Sequence, residues 1–508
     1  MKLSDLLDGV GESLEGQLER LGEAPPVDFD TIEIEALAID HRAVTKGALF
    51  ACIRGTRHDG HDHARHAVER GAVAVLAEHP VDVDAGVAQI LTPSVRMVIG
   101  PLASRFHGDP SNALRIVGIT GTNGKTTVAH LLDAIAVAAG SEAAIVGTLG
   151  ARWLGEARST GFTTPEAVEL QAMFAAMRDG GVDVVAMEVS SHALEQRRVD
   201  GTTFAVVGFT NLSPEHLDLH GDLEGYFAAK ARLFDGTFTD HAVVCVDDAF
   251  GDRLARLARA ELGSVVTVAS NDSRAHEPVD IRAENVLARS SGLRFDLVDG
   301  SNRMSVELRL LGRFNVANAL VAYALGRQLG VEPATIVGAL AAVEPIPGRL
   351  ERVENGLGVT VVVDYAHTPD ALDTVLANLR EIAPAPARLI AVYGCGGDRD
   401  ATKRGPMGRA VARGADVGIL TSDNPRSESP QAIIDDVLRG LDDDDPRPVV
   451  VVDRRAAIEH AIGLAARGDV VLIAGKGHET GQTIGEAIEP FDDRLVAARV
   501  VERRGTTS

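Results

Sequence analysis

A chain of 508 residues exceeds what one hydrophobic core usually organises, and at roughly 150 residues per domain it predicts about three domains. Its 50 basic against 73 acidic side chains leave a formal charge of -23, which excludes nonspecific attraction to nucleic acid or an anionic membrane over most of the surface. Any anionic ligand therefore needs a local basic site. The cysteines Cys52, Cys245 and Cys395 are odd in number and far apart, arguing against a disulfide framework and for buried thiols in a reducing compartment, the cytoplasm.

The opening MKLSDLLDGVGESLEG carries interspersed acids and no long apolar run, so it does not read as a secretory signal, and no stretch approaches the ~20 apolar residues of a membrane span. A first zone, residues 1–110, holds short strand candidates in GALFACIR and AVAVLAE around a helix in DHARHAVERGA, and ends at the polar HGDPSNALR. His58, His61, His63 and His66 cluster here, but no cysteine or Glu-x-x-His spacing fixes a coordination geometry, so no structural metal is expected.

A second zone, residues 111–345, opens with RIVGITGTNGKTTVAHLLDAIAVAAG, a strand, a Gly/Thr loop and a helix in the order of a phosphate site. Strands in VDVVAMEVSS, TFAVVGFTNL and HAVVCVDD, with helical segments between them, predict a mostly parallel α/β sheet. PIPGRLERV, with Pro345 and Pro347 flanking Ile346, marks the second boundary. In residues 346–508 four strand candidates each end in a polar cluster: VTVVVDYAHTPD, ARLIAVYGCGGDRD, ADVGILTSDNPRSE and DVVLIAGKGHE. Ligands of open α/β sheets sit beyond strand carboxyl ends, so this repetition predicts a second binding surface. DDDDP at Asp442–Pro446 reads as a solvated loop.

In GITGTNGKTT the glycines let backbone N–H groups face phosphate, Lys125 reaches terminal phosphates and Thr126 can place its hydroxyl on magnesium. Strict P-loop spacing requires glycine at position 119, where Ile119 stands, so generic P-loop membership does not follow.

The loop GTNGKT, formed by Gly121, Thr122, Asn123, Gly124, Lys125 and Thr126 and continued by Thr127, resembles that of the Mur ligase superfamily. MEVSSHALEQRR, FTNLSPEHLDLHGDLEGYFAAK, GRFNVANAL, PGRLE, VVVDYAHTPDAL, GCGGDRD, SDNPRSESP and AGKGHE resemble further blocks of that family in family order, over most of residues 110–480. The set closely resembles the branch that attaches the third amino acid to UDP-N-acetylmuramoyl-L-alanyl-D-glutamate. The resemblance implies a three-domain α/β protein: a UDP-binding domain, a central ATPase domain with a P-loop, and a C-terminal Rossmann-like domain. It implies a ligase using ATP and Mg2+, with a UDP-N-acetylmuramoyl dipeptide and 2,6-diaminopimelate as substrates, no nucleic acid partner, and a monomer as the working form.

The chemistry is coherent with the residues, since joining a carboxylate to an amine requires activation, and phosphoryl transfer from ATP first brings two anions together. A metal and fixed cations offset that repulsion. On the resemblance, Lys125, Glu188, His216 and Lys230 are catalytic; Thr126, Glu188, His216 and a carbamylated Lys230 surround magnesium. Asn315, Arg349 and Asp364 are implied to contact ATP, in a cleft that domain closure completes.

Muramoyl-peptide contacts map onto Thr163, Thr164, Ser190, Gln196 and Arg198, with Arg197 an alternative to Arg198 for a substrate carboxylate. UDP contacts map onto His41, where the family usually has serine, and onto Thr56, Arg57 and His58. The DNPR in SDNPRSE is associated with diaminopimelate-adding members; the implied pocket is Arg399, Asp423, Asn424, Pro425, Arg426, Gly475 and Glu479, with Arg426 suited to the distal carboxylate that lysine lacks. Two alternatives stand beside this: the same chemistry with lysine or in another Mur or folylpolyglutamate-type ligase, and an ATP-binding regulatory protein that has lost ligation.

Overall fold

A computed structural model describes residues 1–11, 19–21, 28–55, 58–270, 278–383 and 386–507; Thr56 and Arg57 lie outside the described residues. The chain divides into two compact units, Met1–Thr267 with Val321–Glu332, and Val268–Leu320 with Pro333–Ser508.

In the first unit, α1 (Leu3–Gly11) precedes the strands β1 (Glu19–Leu21), β2 (Ala36–Ala38), β3 (Ala48–Ala51), β4 (Ala72–Ala77) and β5 (Ala88–Leu91). They form a sheet of order β1-β5-β4-β3-β2, parallel except for β1. Leu3 and Leu6 of α1 and Val95, Val98 and Leu102 of α3 (Val95–Phe106) seal one face, while Ala64 and Ala67 of α2 (Ala64–Glu69) pack with Phe50 and Val75.

The same unit holds β6 (Arg115–Thr120), β7 (Ala143–Gly147), β8 (Gly150–Trp153), β9 (Glu156–Arg158), β10 (Val184–Glu188), β11 (Val206–Phe209) and β12 (His241–Cys245). The run β7-β10-β6-β11-β12 is wholly parallel. All five residues of β10 are buried, as the unbroken apolar VVAM predicts for a strand covered on both faces. The antiparallel pair β8 and β9 extends the β7 edge, an addition the parallel pattern did not announce because β9 is entirely exposed. Helices α4 (Lys125–Ala138), α5 (Ala167–Asp179), α6 (Ser191–Glu195), α7 (Leu217–His220) and α8 (Leu223–Ala231) follow the strands and carry their ends into the site.

The second unit begins with an antiparallel meander of three strands, Ile281–Arg289, Gly292–Asp299 and Asn302–Leu308, whose burial alternates in the period-two manner of a one-sided sheet. Its C-terminal sheet runs Glu351–Val353, Thr360–Asp364, Val470–Ala474, Leu389–Tyr393, Val417–Leu420, Val449–Val450 in spatial order, parallel except for the first strand. Helices Pro369–Ile382, Arg404–Gly414 and Pro430–Arg439 bury Leu372, Leu376, Val411 and Val437 on one face. Helices Arg454–Leu464 and Asp493–Thr507 bury Ile458, Ile462, Ala497 and Val501 on the other. This is a doubly wound sheet, so its four central strands read as near-continuous apolar runs.

The N-terminal residues of those last two helices, Arg454 and Asp493, form a fully buried ion pair with Nε–Oδ1 at 2.8 Å and Nη2–Oδ2 at 2.7 Å. Arg454 Nη2 also donates to the Ala474 carbonyl at 2.9 Å. Removing one partner strands a charge in a low-dielectric interior, so Asp493→Ala is expected to destabilise this unit by about 3–5 kcal/mol in urea unfolding. The paired replacement Arg454→Met with Asp493→Leu is expected to cost less than Asp493→Ala alone, because neither charge is left behind.

Candidate active site

The phosphate loop leaves β6 at Thr120 and enters α4 at Lys125. Gly121 has φ +146°, and a side chain there would run into Thr210 Oγ1; Gly124, at φ +90°, caps the helix. Only glycine takes both conformations without strain. The end of β11 holds the loop: Thr122 N donates to Asn211 O at 2.8 Å, Asn123 N to Asn211 Oδ1 at 3.0 Å, and Thr210 Oγ1 to Asn123 O at 2.6 Å. Lys125 Nζ curls back onto the carbonyls of Gly121 (2.9 Å) and Thr122 (2.8 Å), placing its charge inside the loop.

Glu188 is the last residue of β10 and is 1% exposed. Thr126 Oγ1 donates to its Oε2 at 3.1 Å, Thr148 N to Oε1 at 2.8 Å and Thr148 Oγ1 to Oε2 at 3.1 Å. A carboxylate and a hydroxyl thus meet at the helix N-terminus, a hard oxygen set of the kind magnesium prefers. His216 adopts a left-handed conformation (φ +56°) before α7, with its ring 4.6 Å from that of His192 and 6.2 Å from that of Tyr226. Among the described residues no group of three or more His, Cys, Asp or Glu side chains is placed to hold a metal ion.

Lys230, near the end of α8, is 1% exposed; its Nζ donates to Gly121 O at 2.8 Å and lies 4.4 Å from the centre of the Tyr226 ring. Burial pushes its amine well below the ordinary lysine range, the Lys125 charge acts in the same direction and Glu215 opposes. The Tyr226 and Thr122 hydroxyls are 3.2 Å apart and close this side of the loop.

The residues expected to contact the peptide are hydrogen-bonded to those expected around the metal. Thr164 Oγ1 donates to the Glu188 carbonyl (2.8 Å) and accepts from Ser190 N (3.1 Å), while Thr163 and Thr148 share a hydroxyl contact at 3.2 Å. Arg198 donates to Thr164 O (3.0 Å) and Gln196 Oε1 (2.6 Å), pairs with Glu166 (3.0 Å) and lies over the Phe162 ring. Arg197 turns to Asp200 at 3.0 Å, so of the two arginines it is Arg198 that joins this cluster.

In the N-terminal sheet region His41 stacks on His63 at 4.3 Å and lies 5.9 Å from His66; burial lowers its pKa, helped by His63. Both ring nitrogens of His61 have partners, Asp59 Oδ1 at 2.5 Å and Glu78 N at 2.9 Å, which is a structural role. The His58 carbonyl accepts from Gly55 N at 2.9 Å.

The second unit collects its candidates in two groups. Asp364 ends its strand and accepts from Leu350 N (2.7 Å) and Ala366 N (2.8 Å); burial raises its pKa, and Arg349 and those N–H groups oppose the rise. The Arg349 guanidinium lies 4.9 Å from the Tyr365 ring centre, and Asn315 Nδ2 donates to Leu311 O at 2.7 Å. In the other group Arg426, at φ +52°, donates from Nη1 to Gly397 O at 2.7 Å. A side chain at Gly396 would press on Arg426 Nη1 (3.0 Å) and meet Arg399 Cγ (3.9 Å), so both arginines border that glycine. Asn424 Nδ2 donates to Glu479 Oε2 at 2.8 Å, and Gly475, at φ +117°, leaves room for Asp423, whose Oδ2 would lie 2.7 Å from a side chain there.

Sequence reasoning passed over several residues that hold this geometry. Thr148 anchors Glu188, and Glu166 with Arg96 braces Arg198 and Gln196. The hairpin Gly481–Ile484 with Ala487–Pro490 clamps the DNPR loop: Arg426 N donates to Thr483 O (3.1 Å), Gly485 N to Arg426 O (2.7 Å) and Thr483 N to Asn424 Oδ1 (2.9 Å). Gly485–Glu486 is a two-residue turn of the Gly-X type, a signal that was legible but points to a hairpin and not to its target.

With this geometry in hand, comparison with known proteins defines the class. Residues 33–117 match the Mur ligase family catalytic domain, 119–326 the Mur ligase middle domain and 348–477 the Mur ligase glutamate ligase domain; the chain belongs to the Mur ligase family. It is 44% identical over 479 residues to UDP-N-acetylmuramoyl-L-alanyl-D-glutamate--2,6-diaminopimelate ligase of Geobacillus thermodenitrificans, covering 93% of this chain and 96% of that one. It is 42% identical over 508 residues to the protein of the same name from Syntrophomonas wolfei, covering 99% of each. A solved structure of a ligase with that name superposes with a TM-score of 0.69 at 33% identity, over 94% of this chain and 96% of that one. The MurF ligase of Thermotoga maritima in complex with ADP superposes with a TM-score of 0.62 at 18% identity, over 92% and 98%, a likeness of fold. The architecture is thus the three-domain α/β fold of these ligases.

One group at the site has a pH signature. His478 Nδ1 is buried without a hydrogen-bond partner in the described structure, and burial, then Arg349, Arg494 and Lys476, lower its pKa from 6.5 to about 4. The folded protein keeps this ring neutral while the unfolded chain binds a proton below about pH 6.5, so its contribution is complete above that pH and is lost as pH falls towards about 4. His478→Gln is expected to remove that component: urea midpoints of the two proteins should converge or cross between about pH 6.5 and about pH 4 while keeping a constant gap above it.

Proposed function

We infer that this protein joins 2,6-diaminopimelate to UDP-N-acetylmuramoyl-L-alanyl-D-glutamate with cleavage of ATP to ADP and phosphate, as a cytoplasmic monomer. The observation that carries this reading is the 42–44% identity, over 93–99% of the chain, to ligases named for that reaction. The γ-phosphoryl group passes to the glutamyl carboxylate, giving an acyl phosphate; the amine attacks its carbonyl, phosphate leaves and a proton is released as the amide forms.

The backbone of Gly121–Thr127 cradles the triphosphate, and Lys125 turns from the Gly121 and Thr122 carbonyls to the charge that develops in transfer. Asn315, Arg349 and Asp364 orient the nucleotide. Thr126, Glu188, His216 and a carbamylated Lys230 would hold magnesium, which when bound would offset the repulsion between phosphate and carboxylate. Thr163, Thr164, Ser190, Gln196 and Arg198 receive the muramoyl peptide, with His41, Thr56, Arg57 and His58 at its UDP end. Asp423, Asn424, Pro425 and Gly475 shape the amino-acid pocket; Arg426 and Arg399 offer forked donors to the distal carboxylate of diaminopimelate, and Glu479 accepts from its ammonium. Lysine would leave that guanidinium pair without its partner.

Phosphate release is therefore expected to require the muramoyl dipeptide, magnesium and an amino acid together, with diaminopimelate strongly preferred to lysine when products are identified by mass. Lys125→Ala should lose about 100- to 1,000-fold in turnover while remaining folded. ATP hydrolysis without either cosubstrate, or a preference for lysine, would overturn the reading.

The carbamate at Lys230 is supported by the depressed amine, since carbon dioxide adds only to the neutral form. Lys230→Ala is expected to be severely impaired and partly restored by a small added carboxylate, and labelled bicarbonate should give the wild-type protein a carbamate carbon resonance that the variant lacks.

A further inference from the structure

Lys476 follows Gly475 at the end of the strand Val470–Ala474 and is completely buried. A buried ammonium is costly unless its donors are matched, and an ammonium has three. Here three acceptors meet it: Asn424 Oδ1 at 3.2 Å, Glu479 Oε2 at 2.7 Å and the Gly481 carbonyl at 2.6 Å. They come from the DNPR loop, the turn after Lys476 and the hairpin that clamps the loop. With its donors spent inside the protein, Lys476 has none left for a ligand.

Its effect falls on two side chains assigned to the amino-acid pocket. The Asn424 amide is locked from both ends, Oδ1 accepting from Lys476 and from Thr483 N (2.9 Å), and Nδ2 donating to Glu479 Oε2 (2.8 Å). Glu479 Oε2 is shared by Asn424 and Lys476, while the Glu479 side chain keeps 31% exposure. Among the described residues the carboxylate is held through Oε2, so Oε1 can receive a cation from outside. We propose that Lys476 is a positioning residue for the amino-acid substrate, fixing Glu479 and Asn424 in the orientation that receives the ammonium of the second amino acid centre of diaminopimelate. The proposal rests on the functional reading above.

The test uses the full chain with all three substrates. Wild-type protein is assayed first with diaminopimelate; if it does not use this amino acid, the functional reading falls and the proposal with it. If it does, Lys476→Met is expected to raise KM for diaminopimelate at least about tenfold, with kcat within about threefold and KM for ATP and the muramoyl dipeptide unchanged. In a Glu479→Gln background the same substitution should change KM less than about threefold, because the side chain it acts through is already altered. Lys476→Gln, which keeps two N–H donors but no charge, should fall between wild type and Lys476→Met. An unchanged KM for diaminopimelate, a uniform loss across all substrates, or full additivity with Glu479→Gln overturns the positioning role while leaving the functional reading intact. Failure of both Lys476 variants to fold also overturns it, since the lysine then serves the fold alone.

Discussion

A single backbone carbonyl, that of Gly121, accepts from two lysine amines, Lys125 at 2.9 Å and Lys230 at 2.8 Å, in a place where Lys230 is 1% exposed. Burial pushes the Lys230 amine well below the ordinary lysine range, and the nearby Lys125 charge acts in the same direction. The carbonyl is presented this way because Gly121 takes a φ of +146° against Thr210, a position no side chain can share. Loop conformation, cation pairing and the chemistry assigned to both lysines thus depend on the same close approach.

From that point the first unit is organised by strand ends. β6 delivers the loop, β10 delivers Glu188, the residues after β7 deliver Thr148, and those after β11 deliver Thr210 and Asn211. Thr164 then ties the Glu188 backbone to Ser190 and, through its own carbonyl, to Arg198. The groups assigned to metal and to peptide are therefore parts of one hydrogen-bonded network, so a shift in one is felt by the other.

The second unit uses the same strand-end principle with a different support. Its strand-end loops are irregular, and Arg426 and Asp398 sit in left-handed conformations that cost energy unless the surroundings hold them. The hairpin supplies main-chain bonds on one side, Asp398 accepts from Ser427 Oγ at 2.7 Å, and the buried Arg454–Asp493 pair fixes the Ala474 carbonyl just before Gly475. Rigidity here comes from buried polar groups paired with one another, which is more directional than apolar packing alone.

The parallel strands, the phosphate loop and the polar clusters at strand ends were legible in the sequence because each is a local signal: an unbroken apolar run, glycines before a helix, charge after a strand. So was the family, from blocks in order. Tertiary structure alone decided which polar residues meet. Thr148 lies 40 positions from Glu188, Glu166 lies 32 from Arg198, and Lys476 lies 52 from Asn424, separations at which no sequence period operates. It also decided that Arg198 and not Arg197 faces the peptide-side cluster, since the left-handed turn at Arg197 (φ +55°) sends neighbouring side chains to different partners. Local patterns specify backbone form, whereas hydrogen-bond partners across strands depend on sheet order, which emerges only when the whole apolar surface is buried together.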